Sequence, residues 1–169
     1  ERAVIIREER KRTNKVKDQK VRDLRVYYNG LPNKALYPYD YQYTEIFRNL
    51  LRSSGLMCPT YHHLYIQVAK TLEDGLRNSF AAEDWYVNGI AVINYEDYLT
   101  KAESEKEKIV IDLISNGLFD IASIDNLDTS IVETVTDKVK TKGLETELIF
   151  NKIESTNHVL TITYLSRSM

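Results

Sequence analysis

The feature that most limits what this chain can fold into is residues 104–122, SEKEKIVIDLISNGLFDIA. A charged lead, Ser104 to Lys108, gives way to Ile109, Leu113, Ile114, Leu118, Ile121 and Ala122, which fall on one side of a helix. The spacing predicts that Tyr95 to Ala122 is the longest helical stretch, with room for one break. Gly117 sits inside the apolar stripe, where it costs up to ~1 kcal/mol relative to alanine. Close approach to a neighbouring element would justify that cost. None of these side chains does catalysis, so the segment reads as a beam on which other elements pack.

The remaining elements follow from periodicity and punctuation. Ala3–Val4–Ile5–Ile6 reads as a strand. Arg10 to Lys20 reads as a loop or hairpin end. Leu24, Val26 and Tyr28 alternate with Asp23, Arg25 and Tyr27, a strand with one buried face. Asn29–Gly30 and Leu31–Pro32–Asn33 stop it. Thr44 to Ser54 carries Ile46, Phe47, Leu50 and Leu51, the stripe of a short helix, with Gly55 as its C′ residue. Leu64, Ile66 and Val68 form another alternating strand, Asp74–Gly75 a turn, and Trp85 to Asn94 one or two strands bent at Asn88–Gly89. Asp128 or Ser130 caps a helix carrying Ile131, Val135 and Val139, with Gly143 at its end. Leu144–Ile153 and His158–Leu165 read as a closing strand pair. The order predicts an α+β fold over residues 1–169, a single domain with a mainly antiparallel sheet and helices packed on one face.

Charge is unevenly placed. Residues 1–25 hold ten Lys/Arg against five Asp/Glu, whereas the remaining residues hold 13 against 20. The basic end suits a polyanion and the acidic remainder a basic partner. No apolar run approaches the ~20 residues that span a bilayer. The opening ERAVIIREERKR lacks the apolar core and cleavage site of a secretory signal. One cysteine, Cys58, excludes an internal disulfide framework and favours a reducing compartment. A cytoplasmic location is expected.

Few residues offer reactive chemistry. Cys58 lies near His62 and His63, but catalytic pairs form in space, and Cys58–Pro59 reads as loop entry. Adjacent histidines on a strand point to opposite faces, which argues against a shared metal. Phosphate-cradling glycine motifs are absent from the sequence. No catalytic residue, metal ligand or cofactor is assigned. The unusual segment is Tyr27 to Tyr43, which contains YPYDYQY and six of the twelve tyrosines. Tyrosine supplies contact area at modest entropy cost, and aromatic rings also stack on unpaired bases. Tyr37, Tyr39, Asp40, Tyr41 and Tyr43 are therefore candidate partner-binding residues.

KEKIVIDLISNGLFDIASIDNLD, a capped helix ending VKTKG and a terminal strand pair together resemble bacterial immunity proteins of contact-dependent and polymorphic toxin systems. The resemblance covers the last third to 40% of the chain. It implies a small cytoplasmic domain without enzymatic activity that plugs or occludes a cognate protein toxin, for instance a nuclease. Asp84, Glu145 and Glu147 then join the tyrosines as candidate contacts, since acids suit a basic toxin. The family has no shared site motif, so the resemblance transfers no residue roles. The alternative is a nucleic-acid-binding domain that uses the basic N-terminal hairpin and the tyrosine-rich loop.

Overall fold

The computed structural model describes residues 17–78 and 85–165. The strand predicted at Ala3–Ile6 and the candidate Asp84 lie outside them. The first elements are β1 (Gln19–Lys20), β2 (Asp23–Asn29), α1 (Tyr39–Ser53), β3 (Met57–Cys58), β4 (His63–Ala69), α2 (Leu72–Asn78) and β5 (Tyr86–Val92). They are followed by α3 (Tyr95–Leu99), α4 (Glu103–Asp125), α5 (Thr129–Lys142), a 3-10 turn at Gly143–Glu145, β6 (Glu147–Glu154) and β7 (Val159–Leu165).

The class is α+β and the sheets are mixed. β2, β4 and β5 form a three-stranded sheet in that order, and both pairings are parallel. β1 pairs with β3, and β6 with β7, as separate antiparallel ribbons. The central sheet is thus parallel where the sequence reading has antiparallel strands. Its connections explain why: α1 lies between β2 and β4, and α2 between β4 and β5, so each strand returns in the same direction. The polar positions of the β4 alternation, Tyr65 and Gln67, are also buried, because this strand is covered on both faces.

Leu64, Ile66 and Val68 face the main helical layer, with Leu24 and Val26 beside them in register. α1 and α4 pack against the sheet, and α5 packs behind, against both helices. The beam read from the sequence is one 23-residue helix, and the predicted break separates it from α3. A Cβ on Gly117 would lie 2.5 Å from Ile66 Cγ2, and a Cβ on Gly89 would lie 2.2 Å from the Gly117 carbonyl oxygen. Helix backbone and strand backbone therefore meet with no side chain between them. At the outer edge of β5, the Asp120 carboxylate accepts the Ile90 N–H at 2.8 Å. That contact caps a strand edge that no described strand occupies.

α2 differs from the sequence reading in two ways. Asp74–Gly75 lies inside this helix rather than in a turn. The helix also crosses the opposite face of the sheet, where a Cβ on Gly75 would meet Ile90 Cγ2 at 2.5 Å. Helices therefore cover both faces, the second only in part.

Candidate functional site

The tyrosine-rich segment folds into the start of α1, five residues earlier than the apolar stripe predicts. Its hydroxyls divide into two sets. Tyr43 donates to Glu107 at 2.7 Å, Tyr39 donates to Glu103 at 2.5 Å, and Tyr28 donates to Asp40. These bonds tie α1 to α4 and to β2. Burial first, then the bonded carboxylate, pushes Tyr28 and Tyr43 upward. The Glu103 bond raises Tyr39 to about 12. Tyr37 and Tyr41 instead point into solvent. Of the five candidates in this segment, Tyr39, Asp40 and Tyr43 thus hold the fold together, and Tyr37 and Tyr41 remain available to a partner.

Glu145 and Glu147 are exposed at the end of α5 and the start of β6, elements that pack beside α1. A groove of about 460 Å³ runs between α1 and β2, lined by Arg25, Asp40, Tyr41, Glu45 and Arg48 among others. It carries both signs of charge.

The most concentrated aromatic surface lies elsewhere, on the sheet face that α2 leaves uncovered. The parallel register sets Arg25 beside Tyr65 and Tyr27 beside Gln67, with His63 beside Tyr86. Tyr65 is the hub, with ring centroids 5.1 Å from Tyr27, 5.1 Å from Tyr86 and 6.2 Å from Trp85. Trp85 also meets Tyr86 at 4.7 Å and His63 at 5.2 Å. Most of these pairs are edge-on, a favourable arrangement for ring quadrupoles. Tyr65 is buried beneath the cluster, while Tyr27 and Trp85 are 40% and 44% exposed. Arg25, at the rim, pairs with Asp23 at 2.5 Å.

A row of amides floors the covered half of this face. Asn29 Nδ2 donates to Gln67 Oε1, and Gln67 Nε2 donates to Asn88 Oδ1, both at 2.8 Å. Gln67 and Asn88 are buried, and these bonds satisfy them across three strands. The cluster therefore sits on a fixed scaffold.

His62 lies just outside β4, and its Nδ1 bonds Nδ1 of His63. The two rings converge instead of diverging, because only His63 obeys the strand alternation. One nitrogen must donate and the other accept, so the bond requires at least one neutral ring. Burial and the neighbouring His62 push His63 below its usual value. Cys58 is fully buried, and burial pushes its thiol up to about 12, with Asp125 reinforcing and Lys17 opposing. A thiol held protonated is a poor nucleophile. Among the described residues, no group of three or more His, Cys, Asp and Glu is placed to hold a metal ion, and no helix is long and apolar enough to cross a membrane.

Sequence reading puts Tyr27 and Arg25 on one strand face and Trp85 at the start of another strand segment, but does not join them. The signal that could have done so is the shared position of Arg25–Tyr27, His63–Tyr65 and Trp85–Tyr86 at the starts of three strands. Only the parallel register brings those starts together. Family models, curated proteins and solved structures gave no match to this chain.

Proposed function

We propose that this chain is a non-catalytic protein-binding domain of the immunity type, acting in the cytoplasm to neutralise a cognate bacterial toxin by stoichiometric blockade. The observation that supports the reading is the exposed aromatic cluster around Trp85 and Tyr27, with Arg25 at its rim. Tryptophan, tyrosine and arginine are the residue types that dominate binding energy when a partner desolvates them. Here they are held by Tyr65 and by neighbouring rings, so little side-chain freedom remains to be lost on binding. Tyr37, Tyr41, Glu145 and Glu147 supply further exposed contacts, and the acidic balance of residues 26–169 suits a basic toxin. Blockade needs only that a rigid surface cover the toxin's site.

The test is co-purification with the protein encoded by the adjoining gene. A 1:1 complex that protects toxin-producing cells is the expected outcome. Trp85→Ala and Tyr27→Ala should each weaken it by about 30-fold, the scale of a 2 kcal/mol hot spot. Absence of any complex, or full affinity in the double variant, would count against the reading.

One observation favours a second reading. Aromatic rings on an open sheet face, next to Arg22 and Arg25, are also suited to stacking unpaired bases. Nucleic-acid binding would fall steeply with added salt. A protein complex anchored by Trp85 and Tyr27 would lose association rate with salt but keep most of its affinity, and this difference separates the two readings.

A further inference from the structure

The β6–β7 ribbon presents an apolar face of its own, apart from the aromatic face of the central sheet. Its base residue, Leu148, is fully buried in the core. The same face continues outward through Ile153, Leu160, Ile162 and Tyr164, which are 52%, 57%, 40% and 37% exposed. A two-stranded ribbon alone is marginally stable in water. This one carries most of its apolar residues beyond the core that anchors it.

The two outer edges of the ribbon are unlike. β6 carries Glu147, Lys152 and Glu154, and its ladder is interrupted between Ile149 and Asn151. Charges and bulges are the devices that keep a strand edge from pairing. β7 reads VLTITYL, with no charge, no proline and no interruption. Its side chains favour β structure throughout.

We propose that β7 is a dimer seam, at which two copies of this chain pair through antiparallel β7 strands about a two-fold axis at Ile162. The sequence of β7 is self-complementary about that residue. Val159 meets Leu165 of the partner subunit, Leu160 meets Tyr164 of the partner subunit, Thr161 meets Thr163 of the partner subunit, and Ile162 meets itself. Apolar residues oppose apolar residues, threonine opposes threonine, and no charge faces a like charge, as favourable cross-strand pairs require.

The backbone agrees with this register. Ser155 N–H donates to the His158 carbonyl at 2.8 Å, which fixes the alternation of the ribbon. Leu160 and Ile162 then direct their backbone groups toward β6, and Thr161 and Thr163 direct theirs toward the edge that no described strand occupies. In the proposed register, the outward groups of Thr161 bond those of Thr163 on the other copy, and Ile162 falls at a non-hydrogen-bonded pair. The two-fold axis stands perpendicular to the sheet, so the apolar faces of both ribbons lie on the same side and shield one another along the seam. An interface in which one patch meets itself closes as a dimer and does not extend into a fibre.

Three variants of the full chain test this. Ile162→Cys should form a covalent dimer on mild oxidation, because the non-hydrogen-bonded pair brings the two cysteines within disulfide reach. Leu160→Cys, at a more exposed position, should not, because its counterpart lies several residues along the seam. Ile162→Lys sets two ammonium groups face to face and should convert the dimer into a monomer of 19.7 kDa by light scattering, with its circular dichroism retained. A wild-type chain that stays at 19.7 kDa at the highest soluble concentration overturns the proposal. So does equal cross-linking from Leu160→Cys, or β7 amides that gain exchange protection only when another protein is added.

Discussion

Gly89 and Gly117 set how closely the longest helix approaches the sheet. Added to Gly89, a methyl group would meet backbone, the Gly117 carbonyl oxygen at 2.2 Å. Added to Gly117, it would meet side chain rather than backbone, Ile66 Cγ2 at 2.5 Å and Cγ1 at 2.8 Å. Gly89→Ala should therefore lose about 3 kcal/mol, the upper range for overpacking. Gly117→Ala should lose less, because alanine regains up to ~1 kcal/mol of helix propensity. Urea denaturation of both, and of Gly117→Ala combined with Ile66→Ala, checks this. The double variant should lose less than the sum of its parts, since the blocking methyl is gone. At this scale the sequence was informative. A glycine in an apolar helical stripe already implied close approach, although its partner glycine on β5 read only as a bend.

Elements were legible where pattern and caps agreed. The cap at Asp128, which accepts the Ser130 N–H at 3.0 Å, and the positive-φ glycines Gly55 and Gly143 lie where sequence puts helix boundaries. The start of α1 was not legible, because its first turn is held by tertiary bonds from Tyr39 and Tyr43 to α4, not by an apolar stripe. Tyr43→Phe should cost about 1 kcal/mol, the net value of a hydrogen bond to a half-buried group. Tyr39→Phe, at the surface, should change stability by less than about 0.5 kcal/mol. These bonds also set an alkaline limit. The folded state holds the Tyr28 and Tyr43 protons above their ordinary value of 10.0. Stability is therefore full below pH 10 and falls as pH rises beyond it, because the unfolded chain releases those protons first. Denaturation midpoints measured across that range should fall less steeply for Tyr43→Phe than for the wild type.

The direction of the central strands belongs to the whole molecule, and the alternating patterns of β2 and β4 do not encode it. Alternation gives the faces of a strand, not its neighbour's direction, and it put Tyr65 on an open side where the ring cluster buries it. The same gap hid the candidate site, since Tyr27, Tyr65 and Trp85 are far apart in sequence and meet only in a parallel register. The chain's single tryptophan, Trp85, lies in that cluster, so its fluorescence reports on the proposed surface alone. Titration with the protein encoded by the adjoining gene, the toxin of the proposed reading, is the most direct measurement. A shift in Trp85 emission that saturates at one toxin per chain, and disappears with added Tyr27→Ala at matched concentrations, is the predicted result. A complex that forms while Trp85 emission stays unchanged would contradict it.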